Sequence, residues 1–296
     1  MSTASRSLKQ LLQEATLAFQ AKGFESAKLD ADLLMRFLKN LSETQLLTQN
    51  HLTLYEEELK TWEGLVQRRL TGEPIAYITQ KKEFYKNSFF VNSQVLIPRP
   101  ETELFMDIVL EWLKEQTFPK DRISILDLGC GSGCIGLSLL EEIPKSLLVG
   151  VDISRGAIEV SQANAQNLKL ASRTFFVECD LSAVEAKHLQ KIHDNKFRII
   201  VSNPPYIANN DPAVEAHVHK FEPALALYAG PSGYEKIEAW LRSAGQVIHH
   251  PGICVFEIGM GQSQRVKEIF QSSKIFHKIR VMQDLAGFDR FVVGYN

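Results

Sequence analysis

Residues 123–133 read Ile123-Ser124-Ile125-Leu126-Asp127-Leu128-Gly129-Cys130-Gly131-Ser132-Gly133, and this stretch decides the fold class. A short apolar run ends in an acid and a chain of alternate glycines, then passes into a helical pattern. Glycine is needed there because the turn is tight and a Cβ would block the approach of a ligand. Working outward, residues 147–151, 174–178, 198–202 and 253–258 form further buried apolar runs. Helical patterns lie between them, such as 155–167 behind Ser154 as N-cap. Strands alternating with helices imply a parallel sheet covered on both faces. Residues 278–283 and 290–294 are two more strands, joined only by Leu285-Ala286-Gly287-Phe288. So short a link cannot hold a parallel crossover, which makes the last strand antiparallel.

The amino-terminal part reads differently. Leu8, Leu11, Leu12, Ala15 and Phe19 recur at helical spacing until Gly23, and Leu33, Leu34, Phe37, Leu38 and Leu41 repeat the pattern after Asp30. Thr53 and Glu56 have the spacing of a capping box ahead of Leu59, Trp62, Leu65 and Val66, and Thr71-Gly72-Glu73-Pro74 ends that helix. With no β-alternation in between, residues 1–81 are expected to form a small helical bundle for substrate recognition. Phe84, Phe89, Phe90, Val91, Val95 and Leu96, around Lys86-Asn87 and Asn92-Ser93, predict a β-hairpin linker over 82–98. Pro98-Arg99-Pro100 breaks it, and Pro100 suits the first turn of a helix carrying Leu104, Ile108 and Trp112. Residues 99–296 then form the main domain.

Composition narrows the function classes. Lys+Arg number 33 against Asp+Glu 35, a net charge of -2, so the basic surface of a phosphate-backbone binder is missing and no stable nucleic-acid binding is expected. No apolar run approaches the roughly 18 residues of a membrane span, and residues 1–8 lack the apolar centre of a signal peptide. Cys130, Cys134, Cys179 and Cys254 sit in or beside apolar runs without ligand-like clustering, which implies reduced thiols, no metal and a cytoplasmic protein.

The glycine loop leaves two nucleotide classes open. Gly131, Gly133 and Gly136 satisfy the dinucleotide spacing, and Asp152 follows at the end of the next strand, where an acid accepts ribose hydroxyls. The choice falls to Ser202-Asn203-Pro204-Pro205-Tyr206, which leaves the fourth strand at the same end of the sheet as the loop. Two prolines remove two N–H donors and hold the chain extended, leaving carbonyls free to accept. Asn203 offers a side-chain acceptor and Tyr206 a flat apolar face.

This set suits an sp² nitrogen, whose lone pair is spread into a π-system. The Asn203 side-chain oxygen and the Pro204 carbonyl accept its two N–H hydrogens, and Tyr206 stacks on its plane. Lone-pair density then builds toward a sulfonium methyl, with catalysis by orientation and electrostatics.

With these motifs in place, the chain resembles the protein-(glutamine N5) methyltransferases that modify class I peptide chain release factors. Ile97-Pro98-Arg99-Pro100-Glu101-Thr102-Glu103, Phe221-Glu222-Pro223 with Ala226-Leu227, Phe256-Glu257-Ile258-Gly259 and Asp284-Leu285-Ala286-Gly287-Phe288-Asp289-Arg290 are similar to that family's segments. The resemblance implies an α/β class I S-adenosylmethionine-dependent methyltransferase fold, Rossmann-like and seven-stranded, behind a helical domain. It implies S-adenosyl-L-methionine as cofactor and the glutamine of a release-factor Gly-Gly-Gln loop as substrate. Asp127 stands where class I methyltransferases carry an acid near the methionine part of the cofactor. Gly129, Cys130, Gly131, Ser132, Gly133 and Asp152 would hold the cofactor, with Leu181 near the adenine. Asn203 would touch both cofactor and glutamine, and Pro204, Pro205 and Tyr206 the glutamine side chain. At 229–233 the family often has an acid where this chain reads Ala229-Gly230-Pro231-Ser232-Gly233.

Other signals are read as scaffold. Arg99, Glu101 and Glu103 are compatible with an ordinary helix start, although the resemblance implies a part in shaping the glutamine pocket. His217 and His219 read as surface residues, His249-His250 as a turn before Pro251-Gly252, and Lys81-Lys82 with 56–58 as solvated charge. The competing functions are a DNA adenine or cytosine amino-methyltransferase, which uses a similar tetrapeptide on a flipped base, and a dehydrogenase or silent nucleotide-binding module.

Overall fold

The computed structural model describes residues 5–48, 52–119, 123–181, 196–209, 211 and 216–296, without the side chains of 216–218, so the side-chain reading of His217 lies outside what is described. The chain separates into two compact units, 1–81 and 82–296.

In the first unit α1 (Leu8–Ala21), α2 (Ala27–Lys39), α3 (Glu43–Thr48), α4 (Glu56–Leu70) and α5 (Ile75–Thr79) share one core. Leu8, Leu11, Ala15 and Phe19 form the buried stripe of α1, and Gly23, at φ +84°, turns the chain after it. The stripe closes on Leu34, Met35 and Trp62. Asp30 is not a helix start: α2 begins at Ala27, and the buried Asp30 carboxylate accepts the Arg69 Nε–H at 2.8 Å. That guanidinium also lies 3.8 Å from the Phe24 ring centroid.

Two expectations for this unit fail. The two-residue strands β1 (Arg6–Ser7) and β2 (Thr53–Leu54) pair antiparallel, so Thr53 is in a strand and cannot cap α4. The cap is shifted by two residues: Glu58 Oε2 accepts the Tyr55 N–H at 3.2 Å. Glu58 also pairs with Lys39, so it is not a merely solvated charge.

The hairpin consists of β3 (Lys81–Phe84) and β4 (Asn87–Phe90), turning at Tyr85, φ +54°. It is shorter than the apolar pattern suggests, because Val91, Val95 and Ile97 are buried outside any strand. A 3-10 turn at Pro100–Glu103 then leads into α6 (Leu104–Glu115).

Among the described residues of the second unit, β5 (Ser124–Leu128), β6 (Leu147–Asp152), β7 (Thr174–Glu178), β8 (Phe197–Ser202), β11 (Ile248–Glu257), β12 (Lys278–Gln283) and β13 (Asp289–Tyr295) form one sheet, ordered β12-β13-β11-β8-β5-β6-β7. Two short strands, β9 (Ile207–Ala208) and β10 (Tyr228–Gly230), pair parallel outside it. The neighbours β11, β8, β5, β6 and β7 are parallel, while β13 runs antiparallel to both β11 and β12. The proposed turn at His249-His250 is instead part of β11, where the register shifts between Ile248 and Ile253.

Strand periodicity sorts the core into two layers. Ile125, Leu148, Ile199, Val201, Ile253 and Val293 meet α6 and α7 (Cys134–Glu142) on one face. Leu126, Val149, Ile200, Phe256 and Val292 meet α9 (Glu235–Val247) and α10 (Ser263–Ser272) on the other. Each such side chain contributes about 1.5–3 kcal/mol when fully buried, so a polar substitution on either face of β8 would cost the whole layer its contact. The chain leaves β5 for β6 and β7, then returns to place β8 on the other side of β5. This reversal is the topological switch point, where the strand ends diverge and a ligand crevice forms.

Candidate active site

The loop after β5 makes its turn with main-chain bonds. The N–H groups of Gly129 and Cys130 donate to the Val151 carbonyl at 2.8 and 3.0 Å, and Gly133 N–H donates to Cys130 at 2.7 Å. Gly129, Gly131 and Gly133 have φ of +71°, +54° and +77°, a region that costs an L side chain energy. At Gly129 a Cβ would stand 2.6 Å from Trp240 Cη2, whereas at Gly131 it would meet only open space. Gly133 is the N-cap of α7 and packs toward Leu137 and Ser161.

Behind the loop, Ser161 Oγ donates to the Gly131 carbonyl at 2.8 Å. Asn164 Nδ2 donates to the carbonyls of Ser132 and Phe90, both at 2.9 Å, while its Oδ1 accepts the Phe90 N–H at 2.7 Å. Both residues lie on α8 (Arg155–Asn167), and Asn164 ties the hairpin to the glycine loop. Neither was singled out from the sequence, since a polar residue on an amphipathic helix gives no sign of what it bonds.

Gly129, Cys130, Gly131, Ser132, Asp152, Leu181, Asn203 and Pro205 all border one cleft. Gly133, Pro204 and Tyr206 do not line it. Pro98 and Thr102 also border it, so the 97–103 segment is more than a helix start. Trp240, Ile153 and Tyr228 are further walls that carry no motif.

Asp152 Oδ2 accepts the Gly131 N–H at 3.0 Å and Oδ1 accepts that of Ser154 at 2.9 Å. The Ile153 N–H also bonds this carboxylate, and with about four acceptor sites it keeps acceptor capacity for a hydroxyl donor. Burial raises the Asp152 pKa, opposed by those N–H bonds. Asp127 sits deeper: burial pushes its carboxyl up to about 7, while Oδ2 accepts the Gly136 N–H at 3.0 Å. Its Oδ1 is buried with no hydrogen-bond partner, as is Trp240 Nε1. Open space at Gly131, spare acceptors on Asp152 and the orphaned Asp127 oxygen fit a cofactor with ribose hydroxyls and a cationic end. The Cys130 and Cys134 thiols, raised mainly by burial, have no nucleophilic character here.

At the end of β8 the tetrapeptide presents Asn203 and Pro205 to the cleft. Ser202 Oγ donates to the Leu128 carbonyl at 2.9 Å, tying the two strand ends together. Asn203 is half-buried and hydrogen-bonded to Glu257, while Pro204 and Pro205 are buried. The Tyr206 carbonyl accepts from Gln262 Nε2 at 2.9 Å, and Gln262 Oε1 accepts the Gly259 N–H at 2.9 Å. A Cβ on Gly259 would be 3.0 Å from Tyr206 Cδ2, and one on Gly233 would be 2.8 Å from the Tyr206 oxygen. Burial lifts the Tyr206 hydroxyl to about 12, so the ring is neutral and suited to stacking.

Two peripheral loops support this end. Arg99 pairs with buried Glu222 at 2.5 Å, and Glu222 also accepts the Ile97 N–H at 3.2 Å, joining the 97–103 and 221–223 segments. In the 229–233 loop Glu235 accepts the N–H groups of Ser232, Gly233 and Tyr234 at 2.8, 3.0 and 3.1 Å, which ties the loop to the start of α9. His219 is exposed and stacks on Tyr228.

Residues 10–79 match the PrmC N-terminal domain and residues 106–226 the methyltransferase small domain. The release factor glutamine methyltransferase of Koribacter versatilis (strain Ellin345) is 37% identical over 291 residues, covering 97% of this chain and 98% of its own. The chain belongs to the release factor glutamine methyltransferase family. The bifunctional methyltransferase of Rickettsia typhi is 34% identical over 301 residues, but this chain spans only 57% of its length. Among solved structures, the hMettl16 catalytic domain superposes with a TM-score of 0.56 at 13% identity, covering 83% of this chain and 85% of that one, a likeness of fold alone. Release factor glutamine methyltransferase membership and the seven-stranded sheet bear out the class I S-adenosylmethionine methyltransferase fold expected from the motifs.

Proposed function

We propose that this chain methylates the side-chain amide nitrogen (N5) of the glutamine in the Gly-Gly-Gln motif of class I peptide chain release factors. The observation that carries the reading is that Asn203 and Pro205 border the same cleft as the glycine loop and Asp152. A methyl donor and an amide acceptor can therefore meet at one strand switch point. Bound S-adenosylmethionine supplies an electrophilic methyl on sulfonium. Asp152 would accept ribose hydroxyls, the 129–133 loop would give the cofactor room to approach the backbone, Asp127 would face the cationic methionine part, and Leu181 would border the adenine.

On the acceptor side, Asn203 Oδ1 and the Pro204 carbonyl accept the two amide hydrogens, and Tyr206 stacks on the amide plane. These contacts aim the nitrogen lone pair at the methyl carbon. The bound cofactor would supply the methyl, its C–S bonding electrons staying on sulfur as the new N–C bond takes up the nitrogen lone pair. The nitrogen becomes acidic as it gains the methyl, so its proton passes to water without a prior strong base. Residues 1–81 recognise the folded factor, because one glutamine side chain offers too little surface for specificity. The reaction belongs in the cytoplasm, in keeping with four unpaired cysteines. Among the described residues, no helix is long and apolar enough to cross a membrane.

The test is mass spectrometry of a release factor incubated with the protein and S-adenosylmethionine. One added methyl on the Gly-Gly-Gln peptide is expected; an unmodified peptide beside methylated DNA would transfer the reading to amino-methylation of bases. Equal efficiency on an isolated Gly-Gly-Gln peptide and on the intact factor would contradict the role of residues 1–81.

A further inference from the structure

Glu257 ends β11 inside the Phe256-Glu257-Ile258-Gly259 segment and is only 2% exposed. Its Oε2 accepts the Thr102 hydroxyl at 2.7 Å, and its carboxylate also hydrogen-bonds the Asn203 side chain. The charges facing it are Arg290 from β13, which attracts, and Glu101 beside Thr102, which repels; the Tyr206 hydroxyl and the Cys134 thiol on α7, both raised further by burial, also face it. Arg290 gives Nε and Nη2 to Asp284, at 3.2 and 3.1 Å. A carboxylate buried this deeply costs several kcal/mol to charge and is poor material for stability alone.

Its partner explains why it is there. An asparagine amide has a donor end and an acceptor end of nearly the same shape, and its orientation is set by its hydrogen bonds. An ionised carboxylate can only accept, so Asn203 must turn Nδ2 toward Glu257. Oδ1 then points away from Glu257, free to accept an N–H of the substrate. The Thr102 hydroxyl, donating to Oε2, stops the carboxylate from rotating. Thr102 is itself held by the 3-10 turn behind Pro100, where its N–H donates to Arg99 at 3.2 Å.

We propose that Glu257, braced by Thr102, is a positioning residue that fixes the Asn203 amide with its oxygen toward the nitrogen to be methylated. This inference rests on the glutamine-methylation reading for its substrate, but not for its geometry. Burial raises Glu257 to about 7. Below that pH the protonated carboxyl donates to Asn203 and occupies the oxygen the substrate needs. Activity therefore falls as the pH drops through neutrality, for a reason located at Glu257.

The test is Glu257→Gln in the full-length protein, read in two ways. In the first, the side-chain amide signal of Asn203 is followed by NMR across pH 5.5–8.5 (a range spanning the shifted carboxyl by roughly 1.5 units each way). It is assigned by its absence in Asn203→Ala. It should titrate near neutrality in the wild type and lose that titration in Glu257→Gln. In the second, kcat at saturating cofactor and substrate should fall by about 10²-fold, the scale of a misplaced reacting group. The acidic limb should vanish, and the cofactor Kd should stay near wild type. The variant should unfold at no lower temperature at pH 8: the folded carboxyl is raised, so its favourable contribution is already lost as pH rises through that value.

A titrating Asn203 signal without methyl transfer would leave the positioning intact and sink the substrate reading. Normal methylation with an Asn203 signal blind to pH, or wild-type kcat in Glu257→Gln, would overturn the positioning role. So would a kcat loss matched by an equal loss of cofactor binding.

Discussion

At the end of β5, the 129–133 loop is satisfied almost entirely by the next strand and helix: the Val151 carbonyl, Asp152, Ser161 and Asn164. At the end of β8, residues 203–206 are held by Glu257, Gln262, Gly259 and Gly233, at least 27 positions away in the chain (233 − 206 = 27). The first motif is a backbone cradle built from consecutive elements, β5 to α8. The second is a set of side-chain and carbonyl acceptors whose directions are imposed from β11, α10 and the loop before α9. A cradle tolerates change until a Cβ enters it, whereas an aimed acceptor fails when it is removed or turned.

The comparison is broken most severely at Asn203. Asn203→Ala should lower kcat on the order of 10²–10³-fold, the usual cost of one lost transition-state hydrogen-bonding group, while losing the bond to buried Glu257 should cost about 1–3 kcal/mol of stability. Stopped assays with saturating cofactor measure the first and a thermal melt the second. Turnover like wild type would rule out the amide clamp. At the other strand end, Asp152→Asn should weaken cofactor binding by about 1.5–3 kcal/mol, the worth of hydrogen bonds to a charged group. Asn keeps one acceptor for the loop, so the melt should move little; calorimetry with the cofactor separates this outcome from general loosening. An unchanged Kd would remove Asp152 from the ribose site.

How much of this was legible beforehand follows the same divide. The seven strands could be read because the central strands are buried on both faces, leaving mostly apolar runs such as 124–128 and 197–202, interrupted only by Ser124, Asp127, Arg198 and Ser202. The glycine loop could be read because its bonds are local. The capping box failed because Thr53-to-Glu56 and Tyr55-to-Glu58 have the same spacing, and only Thr53's pairing with Ser7 in β1–β2 decides between them. The hairpin was drawn too long because Val91 and Val95 are apolar for core packing without strand pairing. Nothing in the local pattern marks Trp240 as a wall of the cleft, since it also occupies an ordinary buried position on α9. The Arg99–Glu222 and Glu257–Asn203 contacts join segments more than fifty residues apart, beyond any spacing rule.

Gly129→Ala tests how little room the cradle has. Its Cβ would stand 2.6 Å from Trp240 Cη2, and its φ of +71° is unfavourable for alanine. A loss of about 1–3 kcal/mol in unfolding free energy is expected from overpacking and strain together, measurable by denaturant titration. Adding Trp240→Leu should recover part of it if the clash dominates and none if the backbone strain does. Recovery without restored cofactor binding would assign Trp240 to the ligand as well as to the loop.

The smallest effect is expected at Gln262, which does not border the cleft. Its amide spans the two strand ends of the acceptor side, donating to Tyr206 and accepting from Gly259. Gln262→Ala removes both bonds, at about 0.5–1.5 kcal/mol for a typical hydrogen bond. In the proposed reading, where Tyr206 stacks on the substrate without exchanging a proton, the loss should appear as a higher KM for the glutamine peptide, with kcat and cofactor Kd nearly unchanged. Gln262→Glu restores one partner, since its carboxylate still accepts the Gly259 N–H, but it faces the Tyr206 carbonyl with an acceptor. If Tyr206 placement is what Gln262 secures, the glutamate variant must behave like the alanine one in KM while melting closer to wild type. If the β11–α10 turn is what it secures, the glutamate variant must restore both.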